Sequence, residues 1–229
     1  VPEANRPPLL AIFDHDGILV DSLPFHEEAW YELGRRTGLE FPPEFIRRTF
    51  GMTNAMIMRE LLGAEEAEAN PGRVQQLGDM KEECYRAVAS GKLELMAGVR
   101  EVLDALTAAG ARLAIGSSGP IKNLELTVTS TGLDGRFAAI ASVEDIRHGK
   151  PDPEVFLVAA RKAGGDPRRS VVFEDAPVGV QAAKAAGMLA VGVGTTHGLD
   201  GLRAAGADVL VESLEGFDVT GLINRMNAI

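Results

Sequence analysis

Apolar residues run without interruption from Leu9 to Phe13 (LLAIF) and stop at two aspartates, Asp14 and Asp16, with His15 between them. An apolar run of this length, closed by the glycine at Gly17, predicts a buried strand. Ile18, Leu19 and Val20 restore apolar character briefly before Asp21 and Ser22. From Pro24 to about Gly91 the pattern changes. Trp30, Leu33, Ile46, Met56, Leu61, Leu62, Leu77 and Tyr85 are spread among charges at helical spacing. Breaks at Gly38, Pro42, Pro43, Gly51, Gly63, Pro71 and Gly72 divide this stretch into roughly four helices.

Beyond Leu95, helices and strands alternate. Val99, Val102, Leu103 and Leu106 share a helix face that stops at Gly110, and Arg112 to Gly116 reads as a short strand. A helix from Ile121 to near Gly132, a strand from Phe137 to Ala141 and a helix opened by Pro153 and stopped by Gly164 follow. Strands at Val171 to Phe173, Leu189 to Val193 and Asp208 to Val211 complete the pattern, with a helix from Val178 to Ala186 between the first two. Short apolar strands alternating with helices predict an α/β fold: a parallel sheet covered on both faces, with residues 24–91 as a helical insert.

Composition adds limits rather than direction. The 229 residues carry 45% hydrophobic and 24% charged residues, enough for a sizeable core. The formal net charge of −10 argues against nucleic acid or an anionic membrane as partner. No apolar stretch approaches the ~20 residues of a membrane span. The start of the chain, VPEANRPP, is polar and reads as a loose tail without the apolar region of a signal peptide. The single cysteine, Cys84, excludes an intrachain disulfide and is expected to be a core or helix-face residue. These features together point to a cytoplasmic protein.

Ligands of such sheets sit beyond the carboxyl ends of the strands. The residues there are Asp14 and Asp16 after the first strand, Ser117 after the second, Lys150 in the loop after the third, and Glu174 and Asp175 after the fourth. In an extended strand Asp14 and Asp16 share a face and are expected to meet at one point. Four carboxylates on one rim would repel and protonate unless a divalent cation bound them. An all-oxygen set, with neither clustered histidine nor cysteine, suits Mg²⁺ better than Zn²⁺. Lys150 and Ser117 supply a point charge and a neutral donor, the groups a phosphoryl oxygen needs, and an aspartate can be the nucleophile of phosphoryl transfer.

The four segments FDHDGILVDS, AIGSSG, HGKPDP and VVFEDAPVGVQAAKAAG resemble, in order and spacing, the four motifs of the haloacid dehalogenase superfamily. The nearest likeness is to its β-phosphoglucomutase-like phosphatases and mutases. The resemblance implies a Rossmann-like core domain (residues 1–23 and 92–229) and an inserted α-helical cap domain (residues 24–91). It implies that Asp14 attacks phosphorus to form an aspartyl phosphate. Asp16 then protonates the leaving oxygen and later takes a proton from the hydrolytic water. Ser117 would bond a phosphoryl oxygen, and Lys150 would neutralise charge between Asp14 and the phosphate. Mg²⁺ would bind the Asp14 carboxylate, the Asp16 backbone carbonyl and Asp175, with Glu174 a ligand or its neighbour. The dehalogenases of the superfamily lack the second aspartate, so Asp16 argues against dehalogenation.

His26, Trp30, Gly51 and Lys81 in the insert, and Ser118, Gly119 and Asn123 beside the second motif, are the substrate-binding positions implied by the resemblance. A mutase grips a second phosphate with a lysine just before a cap-loop glycine and an arginine shortly after it. Phe50 and Asn54 stand at those positions here. A doubly charged phosphate without a cation in a closed site is costly, and Arg47, Arg48 or Arg59 would have to substitute. The expectation is a phosphatase acting on a small phosphorylated metabolite, as monomer or weak homodimer. A phosphosugar mutase is the alternative, and a non-catalytic phosphometabolite-binding protein is the alternative of another class. His15 stands where the family has an apolar residue and is expected to be a satisfied core histidine turned away from the rim. His148 and His197 are expected to be loop residues.

Overall fold

The computed structural model describes residues 7–228, so the expected loose tail lies, up to Arg6, outside the described residues. Strand β1 (Leu10–Phe13) has only apolar side chains, all buried. Their alternation sends Ala11 and Phe13 into one hydrophobic cluster and Leu10 and Ile12 into another. The sheet is completed by β2 (Arg112–Gly116), β3 (Ala139–Ala141), β4 (Ser170–Glu174), β5 (Leu189–Val193) and β6 (Val209–Val211). All pairings are parallel, in the order β3-β2-β1-β4-β5-β6. The chain therefore winds outward in one direction from β1 and in the other from β4. The gap between those two strands is the switch point where such sheets open a ligand crevice. Phe13 and Phe173 face each other across that pair, rings stacked at 4.5 Å.

Residues 23–89 form helices α1 (Leu23–Thr37), α2 (Pro43–Thr49), α3 (Asn54–Leu62), α4 (Ala64–Ala69) and α5 (Pro71–Ala89). Trp30, Leu33, Ile46, Ile57, Met58 and Leu77 give this segment a core of its own. Roughly four helices were expected; α4 is the addition. It carries no buried residue and hence no apolar face for the sequence pattern to reveal. At its base, Val20, Ala29, Cys84, Tyr85 and Leu93 make a small second cluster, so Cys84 is a buried helix-face residue. The two connections to the sheet run side by side, with Met96 N–H donating to Leu19 O at 3.0 Å.

Helices α6 (Val99–Ala108), α7 (Ile121–Ser130) and α11 (Val219–Asn227) cover the Phe13 face, through residues such as Leu103, Leu124 and Leu222. Helices α8 (Glu154–Ala163), α9 (Pro177–Ala185) and α10 (Leu199–Ala204) cover the Ile12 face, through Phe156, Val180 and Leu202. Helices α10 and α11 had no counterpart in the sequence reading. Both are short and carry a glycine, Gly201 or Gly221, that weakens a helical pattern. In α11 the start is secured by the Asp218 carboxylate, which accepts from Gly221 N–H at 2.9 Å. Among the described residues no helix is long and apolar enough to cross a membrane.

Candidate functional site

Because β1, β2 and β4 run parallel in register, their ends bring Asp14, Ser117 and Glu174–Asp175 to one rim. The backbone ladder carries on past the strands: Asp14 N–H donates to Phe173 O and Ser117 N–H to Ala141 O, each at 3.0 Å. Asp14, Ser117, Lys150, Glu174 and Asp175 are all buried. Lys150 Nζ lies 2.8 Å from Asp14 Oδ1, bonds Glu174 Oε1 as well, and rests 5.0 Å over the Phe156 ring. Burial alone would lower the lysine's pKa, but the Asp14 and Glu174 charges outweigh it and hold the ammonium charged.

The carboxylates pay the opposite way. Burial, with Asp14 adding to it, pushes Glu174 up to about 7 against the pull of Lys150. Burial and the Glu174 and Asp14 charges push Asp175 well above the usual carboxylate range. Asp14, Glu174 and Asp175 each offer an oxygen, all within 4.8 Å of one another. The buried Asp175 Oδ2 has no hydrogen-bond partner. A surplus of buried negative charge with one orphaned oxygen fits a divalent metal, which would lower the Glu174 and Asp175 values together. Gly17 makes room for this group: its φ is +75°, and a Cβ there would stand 2.0 Å from Asp175 Oδ2.

The two aspartates of the first motif do not meet as an extended strand would have them. The strand ends at Phe13, and after it the chain turns, with Gly17 N–H donating to Val20 O at 2.9 Å. Asp16 leaves the acidic group and faces a serine and two histidines instead. Its Oδ1 accepts from Ser22 Oγ–H at 2.5 Å, lies 2.8 Å from His15 Nδ1 and 3.3 Å from His26 Nε2. Burial would raise its pKa, but the two histidines more than offset this and hold the carboxyl well below the usual range. His15 is a buried histidine turned into the fold, with Nε2 2.6 Å from Thr127 Oγ1 of α7. It is not idle, however, because its other nitrogen reaches Asp16. His148 and His197 both lie outside helices and strands.

A cavity of about 1120 Å³ separates this rim from the helical segment. Asp14, Asp16, Ser117, Ser118 and Gly119 line it from the sheet side, and His26, Trp30, Gly51 and Lys81 from the helical side. Ser117 Oγ accepts from Gly119 N–H at 3.0 Å, which leaves its own hydrogen free to donate. Ser118 Oγ is buried without a partner. Lys81 Nζ lies 2.6 Å from His26 Nδ1. Since Lys81 can only donate and Asp16 only accept, His26 carries its hydrogen on Nε2. Burial and Lys81 both lower the pKa of His26, in keeping with that neutral form.

Asn123 is not at the cavity wall. Its amide donates to Glu82 Oε2 at 2.5 Å and its carbonyl accepts from Arg86 at 3.0 Å, tying α7 to α5. Glu82 Oε1 also accepts from Lys81 at 2.8 Å and Asn54 at 2.7 Å. Burial would raise the Glu82 pKa, but Lys81, His26 and these donors bring it to about 2. Sequence reasoning assigned no role to Glu82, Arg86, Ser22 or Thr127; the contacts of Arg86 and Thr127, and that of Glu82 with Asn123, join residues distant in the chain and leave no local pattern, whereas Ser22 reaches Asp16 within the first motif. Arg47, Arg48 and Arg59 do not line the cavity and pair at the surface with Glu27, Glu60 and Glu68.

A family model described as haloacid dehalogenase-like hydrolase matches residues 9–187. Among curated proteins, the chain is 31% identical over 214 residues to a chloroplastic 5-amino-6-(5-phospho-D-ribitylamino)uracil phosphatase of Arabidopsis thaliana, spanning 93% of this chain and 56% of the plant enzyme. It is 33% identical over 211 residues to validoxylamine A 7'-phosphate phosphatase of Streptomyces hygroscopicus subsp. limoneus, covering 90% of this chain and 93% of that protein. A solved β-phosphoglucomutase from Clostridium difficile superposes with a TM-score of 0.83 at 22% identity, over 96% of this chain and 98% of the other, a likeness of fold.

Proposed function

The chain belongs to the haloacid dehalogenase-like hydrolases, and on that premise we propose that it is a Mg²⁺-dependent phosphatase of small phosphorylated, sugar-phosphate-like metabolites. The observation that carries this reading is Asp14 held by Lys150 at the floor of the cavity, with the Asp16 carboxylate beside it on different partners. Both relatives named above are phosphatases. Residues 24–91 act as the cap over a core made of the remainder.

In the reaction, an Asp14 carboxylate oxygen attacks phosphorus in line with the bond to the leaving oxygen. That bond breaks, and Asp16 gives its proton to the departing alkoxide. The Asp16 carboxylate then takes a proton from water as the water oxygen attacks the aspartyl phosphate, releasing inorganic phosphate and restoring Asp14. Asp16 is ionised in the free protein. The arrival of a phosphate dianion beside it disfavours that charge and is the point at which it takes up a proton. Ser117 donates to a phosphoryl oxygen, and Lys150 keeps Asp14 oriented and its charge balanced. Asp14, Glu174 and Asp175, with the Asp16 carbonyl, would hold the metal. Bound there, Mg²⁺ supplies charge neutralisation for the phosphate and the attacking carboxylate.

A mutase is the second reading, supported by Lys122 and Arg147, which line the cavity without an ion-pair partner among the described residues. Against it, Lys81 is already paired with Glu82, and Arg47, Arg48 and Arg59 pair with glutamates at the surface. A screen of phosphorylated metabolites with Mg²⁺ tests the proposal: phosphate release is expected from the native protein and none from Asp14→Asn. Turnover retained by Asp14→Asn removes the assignment. Isomerisation of glucose phosphates outpacing phosphate release, with a trace of bisphosphate present, establishes the mutase instead.

A further inference from the structure

We propose that His15 is a positioning residue, locked by Thr127, that fixes the Asp16 carboxylate so that only Oδ2 exchanges protons with the substrate. The inference rests on the phosphatase reading above and assigns a task to His15, which that reading leaves unused.

The argument begins with the distribution of donors. Ser22 Oγ–H, His15 Nδ1 and His26 Nε2 all converge on Oδ1 of Asp16, at 2.5, 2.8 and 3.3 Å. Among the described residues nothing donates to Oδ2, and Asp16 lines the cavity with 15% of its side chain exposed. A carboxylate only accepts, so each of the three partners points a hydrogen at Oδ1. A proton taken up by Asp16 cannot sit on an oxygen already facing three hydrogens. It sits on Oδ2, the oxygen open to the cavity. Carboxyl orientation is thereby converted into a choice of reacting atom.

Of the three donors, His15 is the one anchored from outside the site. Ser22 and His26 belong to the connection and first helix of the insert, whereas His15 is buried in the sheet domain. Its Nε2 is 2.6 Å from the hydroxyl of Thr127, itself fully buried on α7. A hydroxyl can donate or accept, so this contact persists whichever charge the ring carries. It fixes the ring plane and with it the direction of the Nδ1 hydrogen. An apolar side chain at position 15 could fill the volume but could not aim the carboxylate.

Two measurements test this. In long-range ¹H–¹⁵N NMR spectra of the metal-free native protein, His15 is expected to carry a hydrogen on Nδ1; a ring with its only hydrogen on Nε2 overturns the proposal. For kinetics, fructose 1-phosphate has an alkoxide leaving group that needs a proton, whereas p-nitrophenolate leaves without one. Because positioned acid–base catalysis is worth about 10²–10⁴-fold, His15→Leu is expected to lower kcat/KM for fructose 1-phosphate about ten-fold and for p-nitrophenyl phosphate less than about two-fold. Thr127→Val should show the same selectivity in weaker form. His15→Asn, which places an amide donor near the Nδ1 position, should restore most of the alkyl-ester rate. Equal losses on both esters, as a general disturbance of the site would give, or an unchanged or raised rate on fructose 1-phosphate, overturn this inference alone. Absence of turnover of either ester by the native protein removes the phosphatase reading and this inference with it.

Discussion

Glu82 joins α5 to α3 and α7 through Lys81, Asn54 and Asn123, so it connects the helical segment to the sheet domain as well as to itself. Replacing it with Gln keeps the shape but leaves Lys81 buried without its counter-charge and turns one acceptor into a donor facing donors. The magnitude follows from the carboxyl, whose pKa falls from 4.5 to about 2 on folding. That depression corresponds to about 3 kcal/mol of stability at pH 7. The sign is that of a lowered acid: the contribution is complete above the unfolded value and is lost as pH falls toward the folded one. By pH 3.5 about 1 kcal/mol of it has gone. Urea unfolding followed through Trp30, the single tryptophan and a member of the insert core, measures both quantities. Glu82→Gln is expected to be about 3 kcal/mol less stable than native protein at pH 7 and about 2 kcal/mol less at pH 3.5. Native stability in the variant, or a gap that does not narrow with acid, refutes the reasoning.

Gly179→Ala would put a Cβ 1.8 Å from Glu174 Oε1 and so drive the carboxylate off Lys150. A loss of about 3 kcal/mol is expected in thermal unfolding, as for other broken buried pairs, and an unchanged Tm would contradict the packing. Gly17→Ala and Gly38→Ala share a φ of +75°, but only at Gly17 does the added Cβ collide, with Asp175. Both should therefore lose about 1 kcal/mol to backbone strain, while Gly17→Ala alone abolishes Mg²⁺ binding in calorimetry. Glu174, at about 7, and Asp175 bind protons more tightly folded than unfolded, so in metal-free protein they erode stability as pH rises from about 4.5 to 7. Mg²⁺ relieves that repulsion, and the Tm gain on adding it should be larger at pH 8 than at pH 5; equal gains would show that the cluster is not the metal site.

The rim was legible in the sequence because each of its residues follows an apolar strand by only a few positions. Parallel pairing then does the assembling: once β1, β2 and β4 lie in register, Asp14, Ser117 and Glu174–Asp175 must share an edge. Lys150 could be placed by the same rule, although the pairing that makes it useful, with Asp14 and Glu174 together, is a fact of packing. The Glu82 network was not legible for the complementary reason. Its partners Asn54 and Asn123 lie 28 and 41 residues away, on helices whose relative rotation no periodicity specifies. Asn123 shows the cost of that blindness: its neighbourhood to the second motif suggested a substrate contact, whereas its amide is consumed in joining α7 to α5. The arginines at 47, 48 and 59 show it too, since helical spacing leaves open which way each points and all three point to solvent-side partners.

The same distinction explains how two aspartates two residues apart come to differ chemically. Asp14 still belongs to the sheet ladder, so its side chain inherits the strand's direction and meets Lys150 and the buried acids. Past the end of β1 at Phe13 the backbone turns, and Asp16 meets a serine and two histidines in place of the lysine. A carboxylate held by a lysine ammonium is oriented for the attack on phosphorus proposed for Asp14. A carboxylate on a serine and two histidines keeps one oxygen unencumbered, and its ionisation responds to whatever charge enters the cavity. Had the strand continued, both groups would have faced the same lysine and the same acids, and neither could have exchanged a proton independently of the other. The turn that opens at the end of β1, with Gly17 at a positive φ and without room for a side chain, therefore gives the proposed nucleophile and the proposed acid–base separate surroundings.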